Sequence, residues 1–597
     1  MGNTCQNNVH VENTHVSLPQ NDEQVDTRQR DLQEARRKYQ LEQHTFGLTA
    51  VEQRLVNIDN LPPMLSKLPH EERQSLYSKI RFGAQYIFYT LYALFQRLVG
   101  CGRQWTIDRM IQHFRFPCLL KEPKGCEVWR KTAINKKEQT VLQRMQADHW
   151  FAWQRLNGVT RNLIHRVEGI VPLQFAPFLK TIEYNHPYLA EKTLQVHIEQ
   201  KTLYIVNLTE VALGETTLLA PVALFVIFNG MLMPVAVWIN SMDIDIGQVS
   251  IPNILSDDER LRHWVKTRII FNMLDAQYHE SVTHLGFTHL LMDGVSVCMH
   301  RNLSKRHPIY KILLPHFRYM HAINIAARDD LLPRGGYIEK NMYIRRILML
   351  KLIAKHNENW VYDPIQTSLE NRGAMDIPGY FFKDDALQLE GAIRQFVHQY
   401  VTHYYKNDDR NVQEDGEIQG FYQELTAPRA SRAMIGSGGC GMNGIPEINS
   451  MENLVDVVTY FIYTCSVEHS ATNFPQYEQY AFPPNFAALL NGQPEDEMAD
   501  LDASMPSRKE MFSTIKIMKV LTLVLTNSLG NYENVYTRDM DTFGRNCVAA
   551  FQQNLSAIQN RMNNRNADIM ARNDPNQLQE YQYEWLLPKN VLNSISI

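Results

Sequence analysis

The chain of 597 residues has no surplus of positive charge: 60 lysines and arginines stand against 64 acidic residues, a formal net charge of −4. A polyanion finds no global attraction on such a surface, so no nucleic-acid partner is expected. Cysteine is sparse as well. The eight thiols, at positions 5, 101, 118, 126, 298, 440, 465 and 547, are scattered without a Cys-x-x-Cys pair, which fits a reducing compartment better than a disulfide scaffold. The opening Met1-Gly2-Asn3-Thr4-Cys5-Gln6 is polar and has no apolar leader core, so a cytoplasmic chain without a signal peptide is expected. Gln6 stands where an acylation motif requires Ser or Thr. The densest apolar run, Ile80 to Val99, has an uncharged centre of about fourteen residues, short of the roughly 20 a spanning helix needs. Neither GxxxxGK[ST] nor a properly placed GxGxxG occurs, so the glycine-rich stretch 427–446 reads as a flexible surface loop rather than a phosphate cradle. No repeat of 20 to 50 residues is visible.

With 44% hydrophobic and 10% aromatic residues the chain has ample material for a large core. Residues 1–45 are rich in Asn, Gln, Asp, Glu and Arg and read as a polar flexible tail. Residues 46–144 read as an N-terminal helical or lid region, in which Ile80–Val99 is a core or lid helix or one that touches membrane lipid. The remainder, 145–597, reads as the main body. Within it, 173–240 changes to short β-branched and aromatic runs, with Asn229-Gly230 as a hairpin turn, and predicts a small antiparallel sheet. Helices are predicted over 258–275, 309–332, 341–355, 387–405 and 451–470, with two or more between 511 and 564. The expectation is a mainly α protein, a helical bundle around a central helix.

That central helix carries His279, His284 and His289 at strict five-residue intervals. An α-helix turns about 100° per residue, so residues five apart stand roughly 140° from one another and cannot share an ion. A π segment, with i→i+5 hydrogen bonds, returns them to one face, and such segments concentrate at functional sites. His284 and His289 therefore read as metal ligands on a π-bulged helix. A lone histidine in an amphipathic helix is usually a hydrogen-bonded structural residue, but three in register are harder to dismiss. The zinc-peptidase signature needs His at i and i+4 around its Glu, and His279-Glu280-x-x-x-His284 has one residue too many.

Two further segments can complete a shell. His469 and Asn473 are four apart, about 40° from one another on a regular helix, and Pro475 stops that helix, leaving Asn473 to ligate or to cap. The closing Trp585 to Ile597 is apolar where termini are commonly polar, as if built to enter the core. A carboxylate buried there must be paired or must bind a metal.

These residues resemble the lipoxygenase family. The likeness rests on the HExxxHxxxxH run at 279–289, Arg301-Asn302-Leu303, His307-Pro308-x-x-Lys311-x-Leu313-x-Pro315-His316, Ile323-Asn324-x-x-Ala327-Arg328, the HxxxN at 469–473 and the terminal Asn593-Ser594-Ile595-Ser596-Ile597. Asp148, Phe151 and Gln154-Arg155-Leu156-x-Gly158 resemble an early motif of the same family, so the likeness covers about 145 to 597. The absence of a PLAT-type β-sandwich before it resembles the shorter bacterial members.

The resemblance implies a large helical catalytic domain holding one non-haem iron on His284, His289, His469, Asn473 and the carboxylate of Ile597, with His279, Glu280 and Gln476 behind them. It implies a dioxygenase in which ferric hydroxide takes a hydrogen atom from a 1,4-pentadiene and dioxygen traps the radical as a conjugated hydroperoxide. The implied partners of a monomeric chain are a polyunsaturated fatty acid, dioxygen and, transiently, a membrane surface. By the same resemblance Leu331 packs against the pentadiene, Ala327 goes with an S product, and Ala276, where many animal members carry a bulky aromatic, deepens the pocket. Glu280 stands where Gln is common, and Asp293 where Glu is commoner, a shortening expected to loosen the network behind the site. The alternatives are a manganese enzyme and a catalytically silent lipid-binding member that keeps only the channel.

Overall fold

The computed structural model describes residues 16–99, 106–113, 116, 120–132, 139–213, 218–240, 247–252, 258–430, 438–491 and 501–597. Among them helices dominate, beside one five-stranded and one two-stranded antiparallel sheet, which is the mainly α architecture that the hydrophobic periodicity predicts. The central element runs without a break from the α-helix Asp258–Tyr278 through a π segment, His279–Leu290, into the α-helix Leu291–Asn302. In a π turn each amide reaches back five residues, which leaves carbonyls four positions back open to a hydroxyl. Ser281 Oγ donates to the Gln277 carbonyl at 2.6 Å and Thr288 Oγ1 to that of His284 at 2.5 Å. The same device recurs in a second π segment, Thr464–Glu468, where Thr464 Oγ1 donates to the Tyr460 carbonyl at 2.8 Å and Ser466 Oγ to that of Ile462 at 2.5 Å.

The first arm of the central element is clamped by the helix Val141–Asn157. Arg155 reaches Asp275 at 2.9 Å and Asn272 at 2.6 Å, with both charged side chains buried. Seven residues earlier on the same face, Asp148 accepts from Trp264 Nε1 at 2.7 Å, Arg268 at 3.0 Å and Tyr188 Oη at 2.8 Å. Residues i and i+7 lie two turns apart on one side of a helix, so the two carboxylate–guanidinium pairs act as two pins along one seam.

The sheet orders His165–Arg166, Leu203–Asn207, Val222–Phe228, Met231–Ile239 and Gln248–Ser250 side by side. Asn229 and Gly230 both take positive φ, 49° and 75°, as the hairpin turn requires. Both faces are buried, which explains why its strands read as unbroken apolar runs. Leu203, Ile205, Val222, Leu224 and Val226 face a separate apolar cluster, and the alternating Tyr204, Val206, Ala223 and Phe225 join the main core. The sheet extends beyond the expected 173–240 because its outer strands, of two and three residues, are too short to show an alternating pattern.

Other expectations need correction. Of the tail 1–45, residues 1–15 lie outside the described residues, and Val25–Lys38 is a helix. Its one buried side chain is charged: Arg28 bonds Glu417 at 2.5 Å and Asp22 at 2.8 Å. The single helix expected over 309–332 is broken into Pro308–Leu313, a 3-10 turn, Leu314–Phe317, and Met320–Ala326, which runs on into a third π segment, Ala327–Leu331; the break falls where Pro315 removes a donor and Tyr319 adopts a φ of 65°. The segment 341–355 divides likewise at Arg345, whose φ is 52°. In the glycine-rich stretch, 431–437 lie outside the described residues, but Cys440 and Met442 are buried and Gly439 passes so close to the Glu424 carbonyl that a Cβ would lie 1.8 Å from its oxygen. That part is packed, and its glycines serve close approach. Cys440 Sγ rests 3.4 Å from Cys298 Sγ.

Asp275→Ala leaves the Arg155 guanidinium buried without its counter-charge, which costs about 3–5 kcal/mol. Chemical denaturation at neutral pH should register this loss, and a midpoint unchanged from the parent chain would contradict the clamp.

Candidate metal centre

The π segment turns His284 and His289 to one side, where His469 meets them from the short helix His469–Asn473 that follows the second π segment. One ring nitrogen from each of the three lies within 4.8 Å of the other two. Ring centroids stand 4.9 Å apart for His284 and His289, 5.2 Å for His289 and His469, and 5.9 Å for His284 and His469. All three are buried.

Their tautomers follow from their partners. His284 Nδ1 lies 3.1 Å from Glu280 Oε2. Burial works to raise the Glu280 carboxyl, but the imidazoles of His279 and His284 outweigh it and hold the group below the ordinary range, so it accepts and Nδ1 donates. Asn324 spends its NH2 on the His289 carbonyl at 3.0 Å and on Asp293 Oδ2 at 2.9 Å, which leaves its Oδ1 to accept from His289 Nδ1 at 2.8 Å. In both rings the remaining Nε2 carries a lone pair, is buried and has no hydrogen-bond partner. His469 likewise lacks an aligned partner, with the Ile597 backbone beside its ring. Burial pushes all three imidazoles down, His289 to about 3 and His469 well below the usual value, so they are neutral and ready to ligate at pH 7.

His279, one step earlier, is turned away from the triad. Its Nε2 lies 3.1 Å from the Thr472 carbonyl and must donate, while Nδ1 lies 2.8 Å from the Tyr480 hydroxyl and 3.4 Å from Glu280 Oε1. It stacks on His284 with centroids 5.6 Å apart. Gln476 donates to Asn473 Oδ1 at 2.7 Å, and Asn473 Nδ2 donates to the Leu521 carbonyl at 2.7 Å, which fixes the amide one turn after His469. The segment to Ile597 threads into the same region. Leu592 N donates to Ser470 Oγ at 3.1 Å, His316 Nδ1 to the Asn593 carbonyl at 2.7 Å, and Ser596 Oγ lies 3.1 Å from Thr526 Oγ1. Ile597 is 1% exposed.

The side chain of Ile597 belongs to an apolar group with Ile323 and Leu523, against which Phe82, Ala326 and Leu525 pack. Phe82 comes from the long helix Leu76–Val99, which thereby covers this flank of the triad. Ala327 and Leu331 open and close the third π segment, both half-buried, and Ala276 is buried in the main core just before the first. Sequence reasoning missed Phe82, Leu523, Thr472 and Tyr480, which nothing in their local pattern marks. Asn324 stood within a quoted motif, and only its contacts reveal its work. The shortened Asp293 does not loosen the network. Its Oδ1 accepts from Leu65 N at 2.7 Å, and its Oδ2 takes Asn324 at 2.9 Å and lies 3.1 Å from His321 Nδ1, so two other chain segments reach it.

The donor set fits a metal ion. Neutral imidazoles with orphaned, convergent nitrogens are costly to bury unless something accepts their lone pairs, and the nearby oxygens are amide and main-chain groups of the hard type that first-row ions such as iron and manganese take.

The family model described as Lipoxygenase matches residues 131–588. The mouse Arachidonate 12-lipoxygenase, 12R-type, is 27% identical over 542 residues, which cover 87% of this chain and 72% of the mouse protein. The Allene oxide synthase-lipoxygenase protein of Plexaura homomalla is 27% identical over 500 residues, 76% of this chain but 44% of that protein, so the chain spans less than half of it. Among solved structures, a calcium-dependent 11R-lipoxygenase superposes with a TM-score of 0.80 at 24% identity, over 98% of this chain and 83% of the other. A lipoxygenase in complex with arachidonate also gives 0.80, at 23% identity and the same coverage. At these identities the structural likeness speaks for the fold.

Asn324→Ala removes the acceptor of His289 Nδ1 while leaving every triad nitrogen in place. Metal affinity should fall by about 10- to 100-fold, measured by competition with a chelator of known strength. An unchanged affinity would mean that Asn324 does not orient the ligand.

Proposed function

The chain belongs to the lipoxygenase family, and from that premise we propose that it dioxygenates polyunsaturated fatty acids containing a 1,4-pentadiene at one non-haem iron. The ligands in this reading are His284, His289, His469, Asn473 and the main-chain carboxylate of Ile597. The observation that carries it is the convergence of three buried, neutral imidazoles with unpartnered nitrogens. When bound, iron supplies the one-electron acceptor that lets the bis-allylic C–H bond break homolytically. Dioxygen adds to the pentadienyl radical and, with one electron and one proton returned, yields the conjugated hydroperoxide.

The chain's own residues position, shield and select. Glu280 and Asn324 lock two imidazoles in the tautomer that offers Nε2, and Gln476 holds the Asn473 amide. The apolar group of Phe82, Ile323, Leu523 and the Ile597 side chain keeps water from the flank where an acyl chain would lie. Leu331 is taken to bear on the pentadiene, Ala276 to leave depth, and Ala327 to admit dioxygen to the face that gives an S hydroperoxide. Incubation with linoleate and arachidonate should produce conjugated-diene absorbance and, on chiral chromatography, an S product, with Ala327→Gly raising the R share. An iron-loaded chain without diene formation would overturn the activity, and an R product would overturn only the stereochemical assignment. Residues appended after Ile597 should lower iron content and turnover by on the order of 10-fold or more.

We also infer that the helix Leu76–Val99 rests on a lipid surface while substrate is collected. Leu76, Ile80, Ile87 and Leu91 are 58–74% exposed, while Phe82 on another face reaches the apolar group at Ile597, which links that surface to the site. No helix among the described residues is long and apolar enough to cross a membrane, so the contact is peripheral. The pair Ile80→Glu and Leu91→Glu should lower partitioning onto phosphatidylcholine vesicles severalfold with the fold intact. Equal partitioning of parent and variant would remove the helix from this role.

A further inference from the structure

A second cluster of donors lies on the far side of Asp293 from the triad. Glu72 comes from the turn His70–Glu72, His300 from the last turn of Leu291–Asn302, and His321 from Met320–Ala326. One donor atom of each lies within 4.8 Å of the other two, and the His300 and His321 ring centroids stand 6.4 Å apart. His300 and His321 are 4% and 0% exposed, and the Glu72 side chain 12%.

His300 repeats the pattern of the triad, one nitrogen engaged and the other without an aligned partner, whereas His321 sets its second nitrogen against a carboxylate. His300 Nδ1 lies 3.2 Å from the Tyr310 hydroxyl, and the ring is stacked flat on Tyr39 at 3.9 Å. Its Nε2 faces Glu72 Oε1 at 3.4 Å without an aligned hydrogen bond. His321 Nε2 lies 3.0 Å from Ser296 Oγ, while its Nδ1, 3.1 Å from Asp293 Oδ2, also lacks an aligned bond. The Glu72 carboxylate is held in turn by the Tyr39 hydroxyl at 2.8 Å.

Charge argues in the same direction. The carboxylates of Glu72 and Asp293 both enter this space, and among the described residues neither has a lysine or arginine within 4.0 Å. A protonated His321 would answer one of the two negative charges, and a divalent cation answers both. Burial works to lower His321, and the Asp293 carboxylate outweighs it and raises the ring, a measure of the negative field that a cation would meet. Burial pushes His300 well below its ordinary value, so that ring offers a lone pair at neutral pH.

We propose that Glu72, His300 and His321 form a second metal site, for a divalent first-row transition ion of the zinc or ferrous class, separate from the His284–His289–His469 centre. Two imidazoles and a carboxylate are the donors such ions take. The ion ties the N-terminal segment that supplies Glu72 and Tyr39 to the central helix. It also lies one residue, Asp293, from the Asn324–His289 link, so its occupancy steadies the first centre from behind.

The test is metal stoichiometry on the full chain, stripped and refilled with Zn2+ alone, with bound metal counted after gel filtration. Two ions per chain are expected. Glu72→Gln, which keeps the Tyr39 contact, and His300→Leu should each reduce the count to one, and His284→Ala with His289→Ala should also leave one. A count of one in the parent chain that the triad substitutions abolish and His300→Leu does not would overturn the proposal. Should the triad variant fail to fold, Co2+ titration of the parent against His300→Leu decides: two resolved binding phases in the parent and one in the variant support the site, and identical titrations refute it. Neither result depends on catalysis, so a chain inactive on fatty acids could still hold two ions.

Discussion

Everything at the centre depends on a change of helical pitch. Imidazoles five residues apart cannot converge on one point from an α-helix, and the twelve residues of His279–Leu290 bring His284 and His289 together only by widening the turn. A widened turn gives up regular hydrogen bonding, and the chain offsets this with Ser281 and Thr288, whose hydroxyls take the carbonyls four positions back. Thr464 and Ser466 do the same just ahead of His469. The arm leading in is clamped by Arg155–Asp275 and Asp148–Arg268, so the pitch change is fixed at a definite place along the core.

Burial then sets the chemistry. Taking imidazoles out of water disfavours their charged form, and each of the two on the π segment has its Nδ1 spent on a carboxylate or an amide oxygen. What remains is a set of inward lone pairs that water does not reach. At His300 and His321 one nitrogen of each ring is likewise engaged by a hydroxyl while the other faces a carboxylate, and Asp293 is the shared wall of the two polar clusters. Asp293 is held in place by Leu65 and His321, which reach it from two other segments.

The apolar flank is built from parts far apart in the chain. Phe82, Ile323, Leu523 and Ile597 meet beside the triad, and the helix that contributes Phe82 shows a different, exposed face to the outside. One helix thus borders both the apolar flank of the triad and the outside.

The sequence alone determined the helical class, the hairpin at Asn229-Gly230, the π segment and the histidines that meet at the centre, since each is a matter of local period or turn chemistry. Spacing by five carries its own geometric consequence, whatever the rest of the chain does. The tertiary structure decided what local pattern does not encode. Val25–Lys38 is ordered because Arg28 finds Glu417 from a distant helix, and the segment 309–332 is broken where Tyr319 takes a left-handed conformation. The glycines near Cys440 admit a carbonyl rather than solvent, and Asn324, Thr472 and Tyr480 acquire their roles from whichever ring lies opposite. Periodicity reports which face of an element is buried, while the partner on that face is chosen by long-range packing, and hydrogen bonds and ion pairs between remote segments follow from that choice.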